Sequence, residues 1–303
     1  MTDQISGVLA PVVSTFDAAT GDLDAVPFRA NIRAHMAEGL SGVVVAGSTG
    51  EAALLDERER QQLVEWARPL IPNERWLIAG VGAESTRLCL RRAQEAAERG
   101  VDAVLVVSPH YYASAMTSEA LATHFRRVAD ESPVPVFLYN IPKYAHLTLD
   151  PGLVLELASH GNIAGIKDSS GDLKLLGAYL AAQSARFAVL TGSGSGLYSA
   201  LELGARGGIL AVSLFAGRLS AGLYAAWTKG DKGSAGRAQE RLIPMAKTIV
   251  GSLGVPGVKH ALDRVGLTGG LPRLPLLPLR NGERSQVESL LEAAGLVRST
   301  APA

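Results

Sequence analysis

Cysteine is almost absent from this chain: of 303 residues only Cys89 carries a thiol, so no internal disulfide can form and a small core stapled by cross-links is excluded. A reducing, cytoplasmic setting is expected. Aromatic residues make up 5% of the sequence, and 29 Lys and Arg balance 29 Asp and Glu. No basic excess is available to hold nucleic acid or an anionic membrane. No uninterrupted apolar run approaches the roughly 18 residues that a membrane span requires. Met1-Thr2-Asp3-Gln4 puts no basic segment ahead of an apolar core, so a secretory signal is not expected. The six histidines form no H-x-H or H-x-x-x-H pair, which argues against a metal centre.

Lysine is scarce too, confined to Lys143, Lys167, Lys174, Lys229, Lys232, Lys247 and Lys259. Lys167 alone sits inside an apolar β-type run, Ile163-Ala164-Gly165-Ile166-Lys167, followed by the turn Asp168-Ser169-Ser170-Gly171-Asp172. Burying an ammonium without a partner is costly enough that such a group commonly neutralises. A neutral amine is a nucleophile that can form a Schiff base with a ketone and turn it into an electron sink. The plainer reading is a lysine whose stem packs on the sheet while its head reaches a nearby carboxylate such as Asp168.

What the chain has in quantity is glycine, 33 residues, within a sequence that is 47% hydrophobic. That suits one large core with tight strand-to-helix turns. Eight short apolar runs, residues 7–16, 42–47, 76–81, 103–109, 134–140, 163–169, 187–193 and 207–212, alternate with amphipathic patterns. Continuous apolar strands covered by helices mean a parallel sheet, and eight such units predict an α/β fold of the closed (β/α)8 barrel type. Asp56-Glu57-Arg58-Glu59, Thr117-Ser118-Glu119-Ala120 and Asp150-Pro151 supply helix start signals. Residues 1–212 are assigned to the barrel strands and intervening helices. Residues 213–303 are assigned to a closing helix and a helical appendage of the same domain, with helices over 214–229, 233–251, 255–265 and 283–294. The prolines of 269–278 forbid a regular element and predict an extended strap.

Polar residues gather at the C-terminal strand ends, where such barrels carry their chemistry. They are Gly47-Ser48-Thr49-Gly50-Glu51, His110-Tyr111-Tyr112, Tyr139-Asn140-Ile141-Pro142, Lys167 and Thr191-Gly192-Ser193-Gly194-Ser195-Gly196. The Gly-Ser-Thr-Gly turn offers hydroxyls and backbone N–H groups for a small carboxylate, or caps the next helix as an ordinary turn. The glycine run after the seventh strand invites a phosphate reading but lacks the Rossmann arrangement around it. Tyr139 lies on the strand next to that of Lys167 and is either a rim aromatic or a proton relay.

Together, Gly47-Ser48-Thr49-Gly50-Glu51, Tyr139-Asn140-Ile141-Pro142 and Gly165-Ile166-Lys167-Asp168, at these separations, resemble the dihydrodipicolinate synthase and N-acetylneuraminate lyase family of class I, Schiff-base aldolases, over residues 7–279. The resemblance implies that Lys167 forms an imine with pyruvate or a pyruvate-derived 2-oxo acid, without metal or organic cofactor. It implies that Ser48 and Thr49 hold the substrate carboxylate. Tyr139 would move protons, with Ser48 and Tyr111 completing the relay. The tyrosine matching Tyr111 comes from a neighbouring subunit, which implies a homotetramer. Gly192, Ser169 and Tyr144 complete the substrate-binding set.

Within the family the chain is most similar to 4-hydroxy-2-oxoglutarate aldolases, through Ala79-Gly80-Val81-Gly82-Ala83-Glu84-Ser85-Thr86, Lys167-Asp168-Ser169-Ser170-Gly171-Asp172, Val255-Pro256-Gly257-Val258-Lys259 and Gly269-Gly270. It departs from those aldolases at Ser48-Thr49, where they resemble Ser-Asn. It departs from the synthases at Tyr144, where they carry arginine. The readings carried forward are retro-aldol cleavage, 4-hydroxy-tetrahydrodipicolinate synthesis, 2-keto-3-deoxy sugar acid cleavage, and, outside the family, a phosphate-binding barrel isomerase or a silent 2-oxo acid sensor.

Overall fold

The computed structural model describes residues 5–297; the expectation for residues 1–4 lies outside them. Eight parallel strands, β1 (Gly7–Pro11), β2 (Gly42–Val45), β3 (Trp76–Gly80), β4 (Ala103–Val107), β5 (Val136–Asn140), β6 (Ile163–Asp168), β7 (Ala188–Thr191) and β8 (Gly207–Ile209), close into a barrel in chain order. Between them run α1 (Ala25–Ala37), α2 (Glu57–Ala67), α3 (Thr86–Glu98), α4 (Ser118–Glu131), the short α5 (Pro142–Ala145), α6 (Pro151–Leu157), α7 (Leu173–Tyr179) and α8 (Leu197–Leu203). After β8 come α9 (Gly217–Thr228), α10 (Lys232–Met245), α11 (Gly254–Arg264) and α12 (Asn281–Ala293). This is the (β/α)8 barrel with C-terminal helices that the alternation predicts. The expected division at residue 212 falls within the 3-10 turn Ala211–Leu214 that leads from β8 toward α9.

Local chemistry explains the helix starts. Asp56 and Glu59 exchange hydrogen bonds in a capping box, Asp56 Oδ1 accepting from the Glu59 N–H at 2.8 Å and Glu59 Oε2 from that of Asp56 at 2.9 Å. Thr117 Oγ1 accepts from the Ala120 N–H and Asp150 Oδ1 from the Leu153 N–H. The seam where β8 meets β1 demands glycine: a Cβ on Gly207 would lie 1.9 Å from the Gly7 carbonyl oxygen. Side chains such as Leu9, Val44, Ile78, Phe137, Leu190 and Ile209 fill the barrel, while a second apolar layer lies between strands and helices. Among the described residues no helix is long and apolar enough to cross a membrane.

Two expectations are corrected. Every strand but β5, which ends at Asn140 as expected, stops short of its apolar run at the rim; β1 ends at Pro11 rather than residue 16, because beyond it Ser14 turns to donate its hydroxyl to the Gly50 carbonyl. The helix expected over 233–251 is α10 followed by a π-helical turn over Ala246–Ser252, just after Pro244, which has no N–H to continue the regular ladder.

Buried His124 on α4 has Nδ1 2.9 Å from Thr86 Oγ1 and packs edge-on to Phe125. Burial pushes its pKa down from 6.5 to about 4, so folding favours the neutral ring. Its stabilising contribution is complete above the unfolded-state value and is lost as the pH falls toward 4. Between pH 7 and about 4.5 the unfolding free energy of the native protein should fall by about 2 kcal/mol more than that of His124→Gln, measured in urea. Equal losses would contradict a buried neutral ring.

Candidate active site

Parallel pairing puts Tyr139 on β5 opposite Lys167 on β6, and Lys167 opposite Leu190 on β7. Alternation along β6 then turns Lys167 and Asp168 to opposite faces. Lys167 is 5% exposed and Tyr139 4%, with Lys167 Nζ 4.1 Å from the centre of the Tyr139 ring. A lysine head reaching Asp168 is not what is found. Asp168 Oδ1 accepts from Asn140 Nδ2 at 2.7 Å and from the Ser170 N–H at 3.1 Å, while Oδ2 accepts from Ser170 Oγ at 2.8 Å. Burial raises the Asp168 pKa despite those bonds. The Asn140 carboxamide oxygen in turn accepts from the Leu149 N–H. The Ser169 N–H donates to the Asn140 carbonyl at 2.8 Å and that of Gly192 to the Asp168 carbonyl at 2.6 Å, so the ends of β5, β6 and β7 are joined behind the lysine.

The Tyr139 hydroxyl is the meeting point. Ser48 from the turn after β2, Lys167 and Ser169 gather around it closely enough to act on its titration. Burial alone would raise its pKa, but the charge of Lys167 and the polar groups of these three neighbours outweigh it, and the phenol lies below its ordinary value of 10. Gly192 closes over Ser169: a Cβ there would fall 1.8 Å from Ser169 Oγ. Thr49 follows Ser48 in the same half-buried turn. Tyr144, on α5 at the rim, is 43% exposed, and its pKa is raised by burial and by the nearby Tyr139 phenol. Its neighbour Lys143 donates from Nζ to the Gly251 carbonyl in the π-helical turn at 2.7 Å, with Nζ 5.3 Å from the centre of the Tyr144 ring. Such a cluster places an amine able to attack a carbonyl beside a phenol able to take and return a proton.

Tyr111 is the one predicted site residue that the chain does not bring to this cluster. It is 77% exposed, stacked edge-on to Tyr112 with ring centres 5.0 Å apart. Sequence reasoning missed its anchor, Glu84, whose Oε2 accepts the N–H groups of both His110 and Tyr111 at 2.9 and 2.8 Å. It missed Gln239 as well. That side chain accepts the Tyr198 N–H at the start of α8 and donates to the Gly194 carbonyl, while the N–H groups of Gly192, Ser193 and Gly196, the donors a phosphate would need, are given to the Asp168 carbonyl, Thr191 Oγ1 and the Ser193 carbonyl. A glutamine in the middle of α10 gives no signal in sequence, whereas Glu84 lies inside a recognisable stretch. Among the described residues no three His, Cys, Asp or Glu side chains group as a metal site requires.

Comparison with known proteins follows the same lines. Residues 4–294 match the family model described as the dihydrodipicolinate synthetase family. A 4-hydroxy-tetrahydrodipicolinate synthase of Gluconacetobacter diazotrophicus is 34% identical over 278 residues, 91% of this chain and 93% of that one. YagE, a prophage protein of E. coli K12 belonging to the dihydrodipicolinic acid synthase family and solved with pyruvate, is 30% identical with a TM-score of 0.90, covering 96% and 99% of the two chains. The chloride-inhibited dihydrodipicolinate synthase of Acinetobacter baumannii, also solved with pyruvate, is 28% identical with a TM-score of 0.91 over 97% and 100%.

Removing the ammonium should release the phenol. Lys167→Met is expected to move the Tyr139 titration upward in ultraviolet difference spectra, and Gly192→Ala, which displaces the Ser169 hydroxyl, should move it by less. An unmoved titration in Lys167→Met would mean that the two groups are not coupled.

Proposed function

The chain belongs to the dihydrodipicolinate synthetase family, and from that premise we propose that it cleaves 4-hydroxy-2-oxoglutarate, or a related 2-oxo-3-deoxy sugar acid, to pyruvate and an aldehyde through an imine on Lys167. Membership makes it a Schiff-base-forming enzyme of the class I aldolase type; the residue roles and substrate are our reading. Lys167 Nζ attacks the C2 carbonyl and water leaves, giving an iminium. Tyr139 then takes the proton of the C4 hydroxyl, the C3–C4 electrons flow into the iminium, and the aldehyde departs. The enamine is protonated at C3 and hydrolysed to pyruvate and free lysine. Ser48 and Thr49 hold the substrate carboxylate, Ser169 and Gly192 complete the floor, and no metal or organic cofactor takes part. What carries the reading is the meeting of Lys167, Ser48 and Ser169 on one buried phenol.

Substrate choice rests on Tyr144. A synthase of this family grips the carboxylate of an incoming amino-aldehyde with an arginine at that place, and a charge-assisted bond of that kind contributes about 1.5 to 3 kcal/mol. Tyr144 offers one neutral hydroxyl, and Lys143 is occupied at Gly251. A second reading, condensation of pyruvate with aspartate semialdehyde, is favoured by the names of relatives such as the Gluconacetobacter protein. We also infer a cytoplasmic homotetramer in which the exposed Tyr111 completes a neighbouring copy's relay. The buried Cys89 thiol, pushed up to about 12 by burial, suits a reducing compartment.

Pyruvate with borohydride should add one pyruvate-derived mass per chain, at Lys167, and Lys167→Ala should take up none. In the same preparation kcat/KM for cleavage of 4-hydroxy-2-oxoglutarate should exceed that for aspartate semialdehyde condensation by roughly 10- to 100-fold. Efficient condensation abolished by Lys143→Ala would establish the second reading instead. For the tetramer, Lys167→Ala and Tyr111→Phe subunits should be nearly inactive apart and regain activity when reassembled together. Verified mixed oligomers without activity would place Tyr111 outside a shared site.

A further inference from the structure

We propose that Glu51 is a positioning residue for the Ser48-Thr49 turn, set by a buried lysine and by the C-terminal strap; the proposal deepens, and rests on, the reading of that turn as the substrate-carboxylate site. Glu51 ends the Gly47-Ser48-Thr49-Gly50-Glu51 turn, yet its carboxylate takes no part in the cluster around Tyr139. Its backbone has φ +59, a left-handed conformation that residues with a Cβ rarely adopt. Both carboxylate oxygens are held from the far end of the chain. Lys259 Nζ on α11 lies 2.5 Å from Oε1, and the Arg273 backbone N–H donates to Oε2 at 2.7 Å. Both side chains of the ion pair are enclosed, at 1% and 0% exposure.

The strap is fitted closely to this pair. Lys259 Nζ also donates to the Leu271 carbonyl at 2.8 Å, and a Cβ on Gly269 would meet the Lys259 carbonyl oxygen at 1.9 Å, so only glycine lets the strap lie on α11. Arg273 clasps Glu59 of α2 with two bonds, at 2.7 and 2.6 Å, donates to the Leu54 carbonyl, and covers the Phe16 ring. On the other side of the turn Ser14 Oγ donates to the Gly50 carbonyl at 2.7 Å, and the Glu51 N–H donates to the Ser48 carbonyl at 3.1 Å. The segment bearing Ser48 is thus fixed from behind by Glu51, and on its inner side Ser48 faces Tyr139.

A buried ion pair is a weak source of stability, since desolvation offsets the attraction and apolar side chains serve as well. Its distinct property here is positional: the Arg273 N–H hydrogen-bonds one carboxylate oxygen, and Lys259 Nζ lies against the other in an ion pair without hydrogen-bond geometry. Loss of the carboxylate should therefore be felt in substrate binding beyond any loss of stability.

The test compares Glu51→Gln, Lys259→Met and the double variant with the native protein, counting sites by borohydride trapping. Per trapped site, Glu51→Gln should raise KM for the 2-oxo acid about tenfold or more and lower kcat by a smaller factor, the pattern of a displaced binding turn that also borders the proton acceptor. The double variant, free of unpaired charge, should regain thermal stability but not KM. Native KM in folded Glu51→Gln, or recovery of KM in the double variant, would overturn the proposal in favour of a purely structural pair. Should Glu51→Gln fail to fold, Arg273→Ala loosens the strap from its exposed end with the pair intact, and an unchanged KM there would also overturn it. One readout needs no substrate: displacement of Ser48 should raise the Tyr139 phenol titration in Glu51→Gln. If the native protein traps no pyruvate, the functional reading fails by itself, and that titration still decides whether Glu51 positions the turn.

Discussion

An amine enclosed by an apolar barrel is the constraint from which the site follows. The interior offers Leu9, Val44, Ile78, Phe137 and Leu190, none of which can balance a charge. What the fold supplies is the neighbour in register, Tyr139, whose ring lies against Lys167 Nζ and whose hydroxyl it contacts. A phenol differs from a carboxylate in a way that matters for chemistry. A phenol can take and return a proton without holding the amine in a permanent ion pair, so the amine stays open to a carbonyl carbon.

The acids of the conspicuous motifs are all employed in support. Asp168 joins β5 to β6 through Asn140, Glu51 joins the first carboxylate-binding candidate to the strap, and Glu84 holds the loop of Tyr111. Among the described residues no carboxylate hydrogen-bonds to the Tyr139 hydroxyl, where Ser48, Ser169 and Lys167 gather instead. Hydroxyls and one amine surround the phenol, which suits the anionic oxo acid proposed above, and the carboxylates that would repel it are bound into the scaffold.

The helices after β8 belong to this arrangement as much as the strands do. Gln239 of α10 bonds the Gly194 carbonyl and the Tyr198 N–H, the π-helical turn presents the Gly251 carbonyl that takes a hydrogen bond from Lys143, and Lys259 of α11 reaches Glu51. Each is a contact between the rim and a distant part of the chain. The rim's charge pattern is therefore a product of the appendage, and a barrel lacking it would present Lys143 and Glu51 without their partners.

Much was legible before any coordinates. Eight apolar runs separated by capped helices imply a parallel barrel because strand and helix periodicities and caps are local, and Lys167 was conspicuous as the lone lysine in such a run. Neighbouring strands in a barrel also placed Tyr139 beside it. The destination of Asp168 was misjudged in the plainer reading because alternation along a strand acts only once register is set. The roles of Glu51, Gln239 and Lys143 were beyond reach for another reason. Arg273 meets Glu51 across 222 positions of sequence and Lys143 meets Gly251 across 108; no local propensity encodes such pairings. By itself the sequence determined the elements and their order, and singled out the side chains proposed to react, because these readings depend on residues a few places apart. Only the tertiary structure decided which polar groups face the phenol and which are bound up behind it, because that choice is made by barrel closure and by helices packed from the far end of the chain.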